Sequence, residues 1–546
     1  MRTFLQRCGG AAIVLALTCA SGLARGAEVD ERIRGLVEQL RDAGTLVVDG
    51  EPIAARNLLP RLYEKRAFAP AWRSTAQVDS LLEMLEQSRL EGLDPADYHA
   101  AAVRAARAAF VDPGRRLPPG ERAALDVLLT DSVIRLGYHL RFGKVDPVAI
   151  DPSWNFSRDL RGEDPVVTLQ RAIDAPSLRD FAAEVIPRVF LYERFVKALA
   201  EYRALAAAGG WPAVPAGPVL KPGVTDARVP VLARRLAVTG DLAADAAAAA
   251  TTAYDAAIAA GVRRFQARHG LEDDGIVGPD TLAALNVPVA TRVEQLRANL
   301  ERARWVLYDP ASEFLVVNIA GFKLYLVRRG EIAWQTRVVV GRPYRQTPVF
   351  RARLTYLVFN PTWTVPPTIL RKDILPAVRR NVRYLAEHEM DVIDRGGNVV
   401  DPASVDWRAR GFPYQLVQRP GPDNPLGRVK LMLPNDHQVY LHDTPARDLF
   451  EHDSRAFSSG CIRVENPFEL VQLLLGEKWP RERIDALVES GRTETVVLER
   501  PMPIMVLYWT AEVDAAGRVS FFPDLYGRDA AVIAALGKPF DGRGAL

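Results

Sequence analysis

Two residues of this chain combine the type and the setting needed for nucleophilic chemistry. Cys461 lies in the run Ser458-Ser459-Gly460-Cys461-Ile462-Arg463-Val464, and His442 ends the short run Val439-Tyr440-Leu441-His442. The other two cysteines, Cys8 and Cys19, fall in an N-terminal stretch that reads as an export signal, so Cys461 is the one left after cleavage. A lone thiol cannot close an intramolecular disulfide or fill a thiolate-rich zinc site, which leaves a structural cysteine or a nucleophile. The flanks favour the nucleophile. Gly460 permits close backbone approach, two small hydroxyl residues precede it, and the β-branched Ile462 and Val464 anchor a following strand. A thiol needs a base to yield thiolate at neutral pH, and imidazole is the side chain that titrates there.

The remaining histidines compete weakly for that role. His437 sits in the turn Pro434-Asn435-Asp436-His437, and His452 in a charged run with Asp448, Glu451 and Asp453. His388-Glu389-Met390 lacks the second histidine at helical spacing that a zinc hydrolase requires, so zinc is not expected. His99 and His139 read as packing or surface residues of a helical region.

The elements that must position Cys461 and His442 follow a period of two. Phe314–Ile319, Lys323–Val327, Arg337–Val340 and Val429–Leu433 read as strands leading to the His442 strand, and Thr495–Leu498, Met505–Thr510 and Val519–Phe522 as a last set. Residues 370–427 interrupt them with helical and irregular sequence, a length that suits a lid or a substrate-binding element. The aromatic, proline-rich run Val358-Phe359-Asn360-Pro361-Thr362-Trp363-Thr364-Val365-Pro366 suits a groove wall, with Trp363 either a substrate platform or a core residue. Upstream, from 28 to about 208, apolar residues recur at helical steps, as in Ile33, Leu36, Val37 and Leu40. A Gly- and Pro-rich linker (209–223) then leads to a small helical unit with the stripe Ile258, Val262, Phe265 and the turn Asp274-Gly275-Ile276-Val277-Gly278-Pro279.

Composition sets the compartment and excludes some partners. Arg2 and Arg7 flank the apolar run Ala11–Leu17, and small residues continue to Ala27, the layout of a secretory signal over 1–27. If uncleaved, this stretch would be a membrane anchor, although it falls short of the about 20 apolar residues a span needs. The 546 residues are 48% hydrophobic and 25% charged, enough for three or four globular domains of about 150 residues. A net charge of +3 gives no reason to expect nucleic acid.

Three stretches resemble known families. His442, fifteen intervening residues and then Ser458-Ser459-Gly460-Cys461 resemble the signature of the L,D-transpeptidase catalytic domain, the YkuD family. Asn360–Pro366, Arg419-Pro420-Gly421 and Gly427-Arg428-Val429-Lys430 look like its large multidomain members, and the helical part with Gly143-Lys144-Val145-Asp146-Pro147 resembles their scaffold domain. Val262–Leu271 through Gly278 to Asn286 resembles a peptidoglycan-binding domain. Many family members carry His directly before Gly-Cys where this chain has Ser459, which places all of the general-base weight on His442.

The resemblance implies a multidomain α+β protein with a mainly-β catalytic domain. Its expected parts are a signal peptide (1–27), a helical scaffold (28–225), a three-helix peptidoglycan-binding domain (226–290), a catalytic domain (310–490, lid 370–427) and a C-terminal β extension (491–546). It implies a periplasmic enzyme that needs no cofactor, is open to carbapenems, and cross-links peptidoglycan stems. Peptidoglycan stem peptides and glycan, together with wall-synthesis enzymes, are the expected partners. Cys461 would be the nucleophile, His442 the base, Gly460 part of a backbone oxyanion hole and Asp443 the carbonyl that orients the imidazole. Arg463, Ser459 and Trp363 would contact substrate. Two other readings stay open: a thiol hydrolase on the same fold, in which water resolves the thioester, and a wall-binding scaffold with an inert cysteine.

Overall fold

The computed structural model describes residues 9–540 apart from 112–116, 153, 157, 159–161, 163, 309 and 410, with side chains from residue 26 except those of 109 and 111. The basic segment Met1–Arg7 and Cys8 of the expected signal lie outside the described residues. Gly9–Ala43 forms one helix, and among the described residues no helix is long and apolar enough to cross a membrane.

The alternating C-terminal half builds nine strands: β1 (Glu313–Asn318), β2 (Lys323–Arg328), β3 (Glu331–Gly341), β4 (Phe350–Phe359), β5 (Val429–Met432), β6 (Leu441–His442), β7 (Ala456–Ser458), β8 (Ile462–Val464) and β9 (Glu494–Leu507). They pair in the order β7-β3-β8-β6-β5-β4-β9-β1-β2, and β2 pairs again with β3, so eight of the strands close into a ring. Closure leaves few unpaired edges. β3 makes it possible by changing partners along its length, from β2 to β8 at Val338 and Val339, then to β7 at Val340.

Period two sorts the side chains of the central strands. Val429 and Leu431, Leu441, Ile462 and Val464, and Val338 and Val340 enter one apolar core. The residues between them, Lys430, His442, Arg463 and Val339, stand in a cross-strand row on the opposite face, through the pairs Lys430↔His442, His442↔Arg463 and Arg463↔Val339.

Three elements differ from the sequence expectation. The segment from 491, expected as a separate C-terminal β extension, supplies β9 in the interior of the ring, between β4 and β1. Its pairing shifts register between Val497 and Met502, where Glu499-Arg500-Pro501 interrupts the alternation, so one strand reads as two. A hairpin of Leu46–Val48 with Glu51–Ile53 interrupts the region read as helical, turning at Asp49 and Gly50, both with positive φ. Residues 370–427 fold around their own core of Ile374, Val378, Leu385, Met390, Val392 and Leu416, and Gln415–Gln418 pairs with Trp363–Thr364 just before the insertion. The small unit keeps three helices, Val229–Val238, Ala256–His269 and Pro279–Leu285, with a single turn, Ala244–Ala248, in the alanine-rich connector.

One buried helix, Val289–Leu307, joins the parts. Its Glu301 has no exposure to water and accepts from the Val145 N–H at 2.7 Å, Arg304 Nη1 at 2.8 Å and Trp305 Nε1 at 3.2 Å. Arg304 in turn donates to Tyr192 Oη (3.0 Å) and to the Glu91 carbonyl. Toward the ring of strands, Asn299 and Thr510 exchange two hydrogen bonds of 2.8 and 2.9 Å. Lys144 reaches Asp97 Oδ2 (2.6 Å) and the carbonyls of Leu536 (2.9 Å) and Lys538 (2.7 Å), tying the helical half to the C-terminal helix Asp529–Gly537.

Gly143 is the position this joint tolerates least. Its φ is +85°, and a Cβ there would lie 2.4 Å from the Glu301 carboxylate and 2.7 Å from Trp305 Nε1. Gly143→Ala is expected to lower stability by about 2–4 kcal/mol through backbone strain and a displaced buried carboxylate. Thermal unfolding should show a lower midpoint; an unchanged midpoint would mean that the joint adapts freely.

Candidate active site

The turn that presents Cys461 is built by small polar residues. Ser458 Oγ donates to the Cys461 carbonyl (2.6 Å) and accepts from the Gly460 N–H (3.0 Å), while Thr347 Oγ1 donates to the Gly460 carbonyl (2.9 Å). Gly460 has φ +121°, a region that glycine enters at little cost. Thr347 Oγ1 also accepts from the Gly341 N–H (2.9 Å), so the end of β3 and the cysteine turn are held by one hydroxyl.

The imidazole is buried and oriented. His442 Nδ1–H donates to the Asp443 carbonyl at 2.6 Å, which leaves Nε2 as the acceptor nitrogen. Burial, and after it the positive charge of Arg463, push the ring down to about 3, so it stands neutral at pH 7. Asp443 is itself braced: its carboxylate accepts from the Arg428 N–H (2.8 Å) and from Arg447 Nη2 (2.6 Å). Gly427 makes room for it, since a Cβ there would lie 2.4 Å from Asp443 Oδ2.

The half-buried sulfur is raised above the ordinary thiol range by burial, while Tyr440, Lys430 and Arg463 pull the other way. Tyr440 links the two groups. It lowers the thiol that burial raises, and its ring centroid lies 5.7 Å from that of His442, while the sulfur itself approaches the Gln438 carbonyl at 4.0 Å. Lys430 Nζ sits 3.9 Å over the Tyr440 ring, and its burial lowers it from the ordinary lysine range.

The structure brings Cys461, His442, Gly460, Asp443 and Arg463 together, and it redistributes three expected contacts. The Gly460 N–H is engaged by Ser458, whereas the Cys461 N–H has no partner among the described residues. The Ser459 hydroxyl accepts from Arg345 Nη1 (2.8 Å), a guanidinium that also approaches Asp373 of the insertion at 3.4 Å. Trp363 packs on the insertion's own core. His437 packs against Phe350 and His452 against Phe457, each at 5.2 Å between centroids.

Tyr440 and Lys430 were missed as site residues. Tyr440 had a readable signal, because two steps before His442 on one strand is the same face. Lys430 depended on a cross-strand register that a sequence does not print.

Family models match three stretches of the chain: a scaffold domain over residues 57–199, a "Putative peptidoglycan binding domain" over 225–285, and the L,D-transpeptidase catalytic domain (YkuD) over 312–497. A "Putative L,D-transpeptidase" of Haemophilus influenzae is 38% identical over 239 residues, covering 43% of this chain and 48% of that protein. The chain thus spans about half the length of that relative. Solved structures with some likeness include L,D-transpeptidase 1 of Mycobacterium tuberculosis (13% identity, 36% of this chain and 61% of that one, TM-score 0.15). Another is the L,D-transpeptidase of Xylanimonas cellulosilytica (15% identity, 54% and 99%, TM-score 0.18). Overlaps this slight carry no argument about the fold. The family matches, set on a ring of strands that presents Cys461 and His442 on one face, show that the chain carries an L,D-transpeptidase catalytic domain of the YkuD family, joined to a scaffold domain and a peptidoglycan-binding domain.

Proposed function

We propose that the protein is a periplasmic peptidoglycan L,D-transpeptidase. The observation that carries this reading is the Nδ1–H of His442 spent on the Asp443 carbonyl, which frees Nε2 on the face and in the strand row next to Cys461. As the sulfur attacks the carbonyl at the L-centre of the diamino acid in a donor tetrapeptide stem, Nε2 takes the thiol proton. It then hands that proton to the departing D-alanine. The acyl group rests on sulfur as a thioester until an acceptor diaminopimelate amine attacks, with His442 taking the amine proton in turn. The Cys461 N–H would face the oxyanion, a donor worth about 3–4 kcal/mol in comparable enzymes. The peptidoglycan-binding domain packs on the C-terminal strands through Arg268, which donates to the Val519 carbonyl, and through His269, whose ring centroid lies 6.0 Å from that of Phe521, and would hold glycan near this site.

The insertion is the proposed source of preference for an amine over water. Asp373 reaches Arg345, which holds Ser459 beside the nucleophile, so the insertion is latched to the cysteine turn. A cover over the thioester would exclude water and favour aminolysis.

Cys461→Ala should abolish cross-linking with the fold retained, and a carbapenem should add its mass to the wild type alone. His442→Ala should cost about a hundredfold or more, whereas His437→Ala and His452→Ala should be mild. Mass spectrometry of muropeptide products reads all four variants, and full activity without Cys461 would refute the mechanism.

Because the buried pair rests as neutral thiol and neutral imidazole, alkylation of Cys461 by iodoacetamide should climb with pH from about 6 to about 9 without a plateau. A flat region between about pH 6 and 8 would instead reveal a preformed thiolate–imidazolium pair.

Asp373→Ala cuts the latch and should raise the ratio of hydrolysed tripeptide to cross-linked dimer about two- to fivefold, the range expected for a partly exposed ion pair. An unchanged ratio would remove the insertion from acceptor choice.

A further inference from the structure

Beside Cys461 the site holds cations without carboxylate partners. Arg463 is largely buried, its Nε is enclosed without a hydrogen-bond acceptor, and it forms no ion pair among the described residues. The neighbouring charge that acts on it most strongly is another cation, Arg342; Asp448 acts more weakly. Arg342 stands at the end of β3, with its N–H on the Ser458 carbonyl (3.1 Å) and Nη1 donating to Tyr344 Oη (3.0 Å), and it too lacks a carboxylate partner among the described residues. Two guanidiniums held near one another, one of them desolvated, are costly unless an anion joins them.

Position says which anion fits. Arg463 lies two residues beyond Cys461, on the same face as His442, and two steps along a strand span about 6–7 Å. In the proposed donor stem, the group just past the scissile amide is the terminal carboxylate of the leaving D-alanine. We infer that Arg463 and Arg342 form a clamp for that carboxylate, so that the site selects stems by the free acid that ends one residue beyond the attacked carbonyl. A guanidinium fork matches a carboxylate in geometry as well as charge. A stem extended by a further residue, or capped as an amide, would place a neutral carbonyl where the forks need an anion.

This inference rests on the transpeptidase reading for the identity of its ligand, but its test does not require turnover. The Cys461→Ala protein, which cannot be acylated, is titrated by calorimetry with a donor peptide ending in D-alanine and with the same peptide ending in D-alaninamide. The free acid is expected to bind at least about tenfold more tightly, as befits hydrogen bonds to a charged group. Adding Arg463→Gln or Arg342→Gln should weaken the acid and spare the amide, so the ratio falls toward one. Arg342 is exposed, so its variant keeps the test valid if Arg463→Gln fails to fold. Equal affinity for acid and amide, or a ratio untouched by the Arg342 variant, overturns the clamp. If the ratio is found but wild-type protein releases no D-alanine from the acid, the clamp stands and the thioester reading falls.

Discussion

A carboxylate sealed from water holds this molecule together. Glu301 accepts from the backbone of the Gly143–Pro147 motif and from Arg304 and Trp305 of its own helix. A buried charge is tolerated only when its acceptor positions are met, so removing one donor would leave the rest expensive. That dependence explains why the helical half is not a loosely tethered module. Lys144 reaches the carbonyls at the end of the last helix, while Asn299 fixes the backbone at Thr510. The catalytic ring is therefore built onto the scaffold.

Within the ring, the division of faces does the chemical sorting. A strand that buries Leu441 must turn His442 outward, and the parallel partner that buries Ile462 must turn Arg463 the same way. One register therefore brings the imidazole, a guanidinium and, one residue earlier, the turn carrying Cys461 to one side. A slip by a single residue would send the imidazole into the apolar core and Leu441 into the site.

Much of this was legible beforehand. The alternating runs marked β1, β2, β3, β5 and β6, and the lone cysteine and its upstream histidine stood out, because residue type and period are local properties. What stayed hidden depends on pairing between distant segments. β9 looked like an appendage because a proline-bearing interruption divides it, whereas its place between β4 and β1 is decided by partners more than 130 residues upstream. The expected oxyanion role of Gly460 missed the competing acceptor, since a Ser458 rotamer, not sequence adjacency, decides where the N–H points. Trp363 carried two readings, and it stands half-buried against the insertion's own core.

The electrostatics of the site then set the order of events. Burial raises the thiol and lowers the imidazole together, which favours the neutral form of both partners. The cations oppose that preference at sulfur but reinforce it at the ring, since Arg463 stabilises a thiolate and disfavours an imidazolium. An anion settling on Arg463 would reverse both effects: the imidazole would become a stronger base and the thiol a weaker acid. Proton transfer would then be coupled to attack on a carbonyl already in place, because neither partner gains by ionising alone. Binding and activation become the same event in a site whose charge is balanced only when substrate fills it.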